Sequence, residues 1–212
     1  SMRSLLWLIV LIGIVGTARA DGIDMIKLPP PQMEGGMPLM QALKARHSSR
    51  EFSARPLPMQ VLSNLLWAAT GVNRPESAHR TAPTAKNMRE VSVYVATADG
   101  TYVFDPDAHA LRRVLERDIR ALTGTQDFVR NAPLNLVYVA DLNRMNTSEE
   151  DKHFYSATDT GFIAGNVYLF CASAGLATVV RASVDRKALA AALGLAAHQK
   201  ITLTQTVGYP KE

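Results

Sequence analysis

The succession of apolar and polar positions divides this chain into elements. Pro38 opens a short helix through Leu39, Met40, Leu43 and Arg46, proline being well suited to a helix's first turn. Pro58 opens another, with Val61, Leu62, Leu65, Leu66 and Ala69 at helical spacing and Gly71 past its end. At Val91 the period shortens to two, which predicts a strand to Thr97. Asp99-Gly100 signals a hairpin, Thr101–Phe104 is the return strand, and Leu111–Leu115 follows as a third, edge strand. Helical segments are expected near 116–123 and 126–131. The β-branched and aromatic run Leu134–Ala140 predicts a central strand. Thr147/Ser148 with Glu150/Asp151 reads as the cap of a long helix that runs to about Ala174 and ends at Gly175. A strand over Ala177–Ala182, a helix from an Asp185 cap to Leu193 with Gly194 behind it, and a last strand over Ile201–Val207 complete the pattern. Helices and strands alternate irregularly around an early meander. That predicts an α+β fold rather than a regular βαβ series.

Three stretches fall outside this pattern. Residues 1–20 combine Arg3, the uncharged apolar run Leu5–Val15 and an A-x-A site at Ala18–Ala20, the pattern of a secretory signal peptide. The apolar run is shorter than the roughly 20 residues a bilayer span needs. A periplasmic or secreted protein with no stable membrane span after cleavage is therefore expected. Residues 21–37 hold Pro29-Pro30-Pro31 and Gly35-Gly36 and read as an extended arm outside the core. The polar stretch Asn73–Ala85 reads as unpacked loop. The domain proper is then 38–212.

Composition narrows the function. Of 212 residues, 47% are hydrophobic and 20% charged, an ordinary globular balance with length for one sizeable core. The formal charge of +4 falls to +2 without the two arginines of the leader, and the basic residues are scattered. Nucleic acid is not an expected partner. The single cysteine, Cys171, lies in an apolar run and reads as buried filler. The five histidines lack metal-ligand spacing, so no metal is expected.

Three segments could carry chemistry. Arg46-His47-Ser48-Ser49-Arg50 puts two guanidiniums and two hydroxyls within five residues, a set suited to an anion such as phosphate or to a solvated helix end. On a continuing helix Arg46 and Arg50 would share a face and repel. The stretch from Arg80 to Arg89 is a small-residue loop in which Asn87 offers both donor and acceptor to a flat ligand. Gly175–Asp185 links helix, strand and helix, with backbone N–H groups near Ala182 and Ser183 available to a ligand. In the long helix, Gly161 and Gly165 lie four apart at about 1 kcal/mol each relative to alanine. They suit either tight packing within the monomer or a helix–helix seam between two copies.

Taken in this order, the three segments resemble the nitroreductase-like family of FMN-dependent oxidoreductases. The resemblance runs from about Pro38 to Pro210. R-x-S-x-R-x-F at Arg46–Phe52 is similar to the family's phosphate-binding opening, and A-P-T-A-x-N at Ala82–Asn87 to its P-S-x-x-N loop. Asp159-x-Gly161-x-x-x-Gly165-Asn166 resembles its central dimer helix, and Val207-Gly-Tyr-Pro210 its closing strand. The Leu28-Pro-Pro-Pro arm and the A-P-T-A loop look nearest the azoline-oxidase branch. The resemblance implies an α+β fold, a mixed or antiparallel sheet wrapped by helices, with FMN at a homodimer interface. That favours a dimer seam at the two glycines. By the same resemblance, Arg46, Ser48 and Arg50 would hold the FMN phosphate and ribityl chain, with His47 contributing mainly backbone. Asn87 would meet the flavin's pyrimidine edge, and the backbone at Ala182–Ser183 would approach N5 and O4. The implied activity is hydride or electron-pair transfer through flavin N5 in a ping-pong cycle on a small-molecule substrate, with no catalytic side chain. Arg89 stands where many members carry Gln beside the flavin, and Lys211 is the only basic residue after the closing strand. These departures frame the alternative, a degenerate member that binds flavin or a partner without turnover.

Overall fold

The computed structural model describes residues 25–212, so the leader pattern lies outside the described residues. In chain order the elements are β1 (Met25–Lys27), α1 (Leu39–Ala45), α2 (Met59–Thr70), β2 (Val72–Arg74), β3 (His79–Arg80), β4 (Val91–Thr97), β5 (Gly100–Asp105) and β6 (Ala110–Leu115). They continue with β7 (Leu134–Asp141), α3 (Glu149–Ala174), β8 (Ala177–Arg181), α4 (Arg186–Leu193) and β9 (Gln199–Gly208). Seven strands form one sheet in the order β1-β6-β5-β4-β7-β9-β8, while β2 and β3 form a separate hairpin. Every pairing in the large sheet is antiparallel. Among the described residues no helix is long and apolar enough to cross a membrane.

Alternation along the central strands builds two cores. Val93, Val95, Leu136 and Tyr138 face α2 and α3, meeting Leu65, Leu66, Val167 and Cys171. Tyr94, Ala96, Val137 and Val139 face the other way, onto Leu189 and Leu193 of α4. A strand covered on both sides loses its polar face, which is why β7 reads as a nearly continuous apolar run. Within that run Asn135 is fully buried and donates from Nδ2 to the Val129 carbonyl at 2.7 Å.

α3 begins and ends as its sequence requires. The Ser148 hydroxyl accepts from the Asp151 N–H at 3.1 Å, and three acidic residues occupy the first turn, where the helix dipole favours them. Gly175 takes φ +68°, a left-handed conformation that costs a glycine nothing. Ser148→Ala should cost about 1 kcal/mol, read as a lower urea midpoint. An unchanged midpoint would mean that the acidic first turn caps the helix alone.

Four expectations are corrected. β6 is not the sheet edge: β1 pairs with it, setting Met25 opposite Arg112 and Lys27 opposite Ala110. The start of the arm therefore packs on the core, while Met33–Gly36 stay exposed. Leu28 is 2% exposed, the Pro29 carbonyl accepts from the Ser63 hydroxyl, and the Met37 N–H donates to Ser173 Oγ at 2.7 Å. Prolines remove donors but leave carbonyls, and those carbonyls anchor the arm on α2. The helices expected within 116–131 reduce to 3-10 turns at Arg120–Leu122 and Asp127–Arg130. Residues 73–85 are not loose: they include most of the β2–β3 hairpin, and Ala82 is buried.

Candidate functional site

α1 stops at Ala45, and Arg46 leaves it at φ −55°, ψ 121°. Residues 46–50 form no helix, so the repulsion foreseen between Arg46 and Arg50 on a shared helical face does not arise. The segment is pinned instead to α3 and β8. The Ser49 N–H donates to the Thr178 carbonyl at 2.9 Å, and Ser48 Oγ shares a 2.8 Å hydrogen bond with the Tyr168 hydroxyl. The Arg46 guanidinium lies 5.4 Å from the Tyr168 ring centroid. Tyr168 also accepts from the Val180 N–H at 3.0 Å, so one phenol joins three elements. Sequence reasoning gives Tyr168 no role. Its signal was an aromatic hydroxyl among residues otherwise chosen for size.

Arg46, His47, Ser48 and Arg50 are all exposed. His47 Nδ1 is hydrogen-bonded to the Ala45 carbonyl at 2.8 Å. Among the described residues no carboxylate forms an ion pair with Arg46 or Arg50. Two exposed guanidiniums flanking a hydroxyl on a fixed backbone can grip a multiply charged anion.

Ala182 and Ser183 emerge from the far end of β8. The Ser183 carbonyl accepts from the Thr125 N–H at 3.1 Å, and the two hydroxyls meet at 2.6 Å. Arg181 fixes this end. Its Nη2 donates to the Thr123 carbonyl at 3.1 Å and to Asn135 Oδ1 at 3.3 Å, and its Nη1 to Thr206 Oγ1. Burial pulls this guanidinium's pKa down to about 10, so it stays charged at neutral pH.

Asn87 lies elsewhere. Its loop hangs from the first half of α3 through the Ala85 N–H, which donates to Asp159 Oδ2 at 2.8 Å. Asp159 and Tyr168 are nine residues apart on that helix, about 13 Å along its axis. Within one chain, then, α3 holds the Arg46–Ser48 segment near one end and the Asn87 loop nearer the other. Lys86, Asn87 and Arg89 all take positive φ between 51° and 54°, a cost that fixed surroundings must offset. The Arg89 N–H donates to Thr84 Oγ1 at 3.0 Å, and Arg144 Nη1 to the Arg89 carbonyl at 3.1 Å.

Beneath this loop sits Glu90, which sequence reasoning missed. It is fully buried, and its Oε2 accepts from the Thr84 hydroxyl at 3.2 Å. Burial, with the neighbouring Asp159 charge, pushes its carboxyl up to about 7. The available signal was an acid directly before an apolar strand, a place usually open to solvent. Cys171 is fully buried and its thiol is pushed up by burial, which makes it filler and no nucleophile.

A β-carbon added to Gly161 or Gly165 would meet nothing within 4 Å. Packing within the monomer therefore does not explain these glycines. Phe154 and Phe162 on the same helix are 64% and 46% exposed.

The model of the nitroreductase family matches residues 43–209. A protein of Methanocaldococcus jannaschii named as a nitroreductase is 32% identical over 167 residues, covering 74% of this chain and 83% of that protein. The crystal structure of a nitroreductase-type protein from Ralstonia eutropha superposes with a TM-score of 0.85 at 44% identity, covering 89% of this chain and 90% of that one. A Desulfovibrio desulfuricans protein described as a nitroreductase in complex with FMN shares the fold, with a TM-score of 0.61 at 19% identity over 83% of this chain and 88% of its own.

Proposed function

This chain belongs to the nitroreductase family, and we propose that it is an exported FMN-dependent oxidoreductase that works as a homodimer on a small molecule. One observation carries the reading: exposed guanidiniums at Arg46 and Arg50, without ion-pair partners among the described residues, flank Ser48 on a backbone fixed by Tyr168 and Thr178. That donor set fits a phosphate monoester and the start of a ribityl chain. In this reading Arg46 and Arg50 hold the phosphate, Ser48 bonds the ribityl chain and His47 lends backbone. Asn87 meets the pyrimidine edge, and the backbone of Ala182–Ser183 borders the reactive side. The chemistry supplied by bound FMN is hydride or electron-pair transfer at N5, in a ping-pong cycle.

The 13 Å offset along α3 supports the dimer. Asp159 and Tyr168 are symmetric about the point between Ile163 and Ala164. A twofold axis there would set one chain's Asn87 loop beside the partner subunit's Arg46 and would use the open faces of Gly161 and Gly165. Export is supported by the leader pattern in residues 1–20. Because nicotinamide cofactors are cytosolic, an exported enzyme is read as oxidising its substrate and passing electrons to oxygen or a quinone. The Leu28-Pro-Pro-Pro arm supports a place near the azoline oxidases. The second reading, binding without turnover, rests on Arg89 in the position where many members carry Gln.

The visible spectrum of purified protein tests the proposal. Flavin bands are expected, and a colourless protein that ignores added FMN would defeat it. Turnover with oxygen or a quinone separates enzyme from binder. Arg46→Ala should weaken FMN retention roughly 10- to 100-fold, since charged hydrogen bonds contribute about 1.5–3 kcal/mol. Unchanged flavin occupancy after dialysis would remove Arg46 from the site.

A further inference from the structure

The Asn87 loop backs onto a cavity of about 270 Å³ that the function proposed above does not use. Its walls are apolar where the sheet and α3 meet, with Val91, Val93, Val103, Phe104 and Ile163. Two nearly buried polar side chains also line it, each with an unsatisfied atom. Arg80, with 10% of its side chain exposed, pairs through Nη2 with Asp107 at 3.0 Å and leaves Nη1 without a partner. Glu90 is bonded through Oε2 to Thr84 and leaves Oε1 without one. Each such orphan costs about 1–3 kcal/mol, so a partner between them is stabilising. At roughly 30 Å³ per water the space would hold about nine, far more than one bridging water. It falls just short of the roughly 300 Å³ at which pockets for drug-sized ligands begin, so the ligand is small.

Charge selects its sign. The acids facing Glu90 are engaged: Asp159 of α3 by the Ala85 N–H and by Glu90 itself, Asp107 by Arg80, and Asp105 by the Asp107 and Ala108 N–H groups. The cations Arg89, Arg112 of β6 and Arg144 also line the space, and among the described residues only Arg144 of these three forms an ion pair, with Asp141 at 3.7 Å. The geometry points to a binding site for a small carboxylate with an apolar body, its charged end held between Arg80 Nη1 and Glu90 Oε1. Protonation of Glu90, whose carboxyl is also hydrogen-bonded to Asp159, removes the negative charge that would repel such a ligand. Burial holds the pKa near 7, so that proton is present at mildly acid pH and leaves as pH rises.

Calorimetric titration of the full chain with benzoate tests this site. Binding is expected at pH 6 and about tenfold weaker at pH 8, because the protonated fraction of Glu90 falls by about that ratio across a pKa near 7. Benzamide, of the same shape without the charge, should bind at least tenfold more weakly than benzoate at pH 6. Glu90→Gln is neutral at both pH values and should keep its pH 6 affinity at pH 8. Isotope-filtered NOEs from benzoate to the methyls of Val93, Val103 and Ile163 locate the ligand without any substitution. Equal affinity for benzamide, a pH-independent Kd in the parent, the parent's pH dependence retained in Glu90→Gln, or NOEs only to other methyls would each overturn the assignment.

Discussion

Glu90→Gln should be about 3 kcal/mol more stable than the parent at pH 8 and no more stable at pH 4. The carboxyl rises from an ordinary 4.5 to about 7 on folding, chiefly because burial penalises its charged form. Below pH 4.5 the group is protonated in both folded and unfolded chains and contributes no difference. Between 4.5 and 7 the unfolded chain has released the proton while the folded chain retains it, so stability falls as pH rises. Above 7 both states are ionised and the full loss is in place, about 3 kcal/mol for a rise of that size at 1.36 kcal/mol per unit. Glutamine never ionises, and its stability does not change across this window. Carboxyls that folding lowers act in the opposite direction. Asp99 and Asp118 are lowered by hydrogen bonds from Thr97 and Arg120, so they lose stability only as pH falls through the acid range. Urea titrations of flavin-free parent and variant, at equal protein concentration from pH 4 to 8, measure the gap. Parallel stability curves would show that Glu90 does not carry the proton.

Capping and periodicity were the most legible layer of this chain. Ser148, Asp185, Gly175 and Gly194 sit at helix ends because their side chains, or the lack of one, satisfy local backbone geometry that a few neighbours define. β4 and the strongly apolar β7 were legible for the same reason. Elements held by distant partners were not. β1 is three residues long and exists because β6 offers an open edge more than 80 positions away. Nothing in Met25–Lys27 records that edge. Residues 116–131 carry helical spacing but settle as short turns, one of which supplies the Thr123 carbonyl to Arg181. The site divides along the same line. Arg46 and Ser48 were readable as residue types. Tyr168, which fixes them, and Glu90, beneath the Asn87 loop, became visible only once α3 had been folded against both.

Replacing both Gly161 and Gly165 with leucine should convert the proposed dimer to monomer and release FMN in the same step. The two glycines weaken α3 by about 1 kcal/mol each relative to alanine, and in the single chain nothing occupies the space a side chain would take. A cost retained without an intrachain reason is explained by a second copy approaching along this face. In a twofold dimer the substitution brings four leucines into one seam. At about 1–3 kcal/mol for each overpacked side chain, the dimer dissociation constant should rise at least a thousandfold. The monomer itself should be no less stable, because leucine has the better helix propensity. FMN should leave with the partner, since the twofold arrangement joins Arg46 and Ser48 of one chain to the Asn87 loop of the other. Light scattering after size exclusion and the flavin absorbance of the same peak read both effects together. A dimer that persists with its FMN would move the seam off α3. A monomer that keeps its flavin would place the whole site within one chain, leaving the 13 Å between Asp159 and Tyr168 to be bridged without a partner.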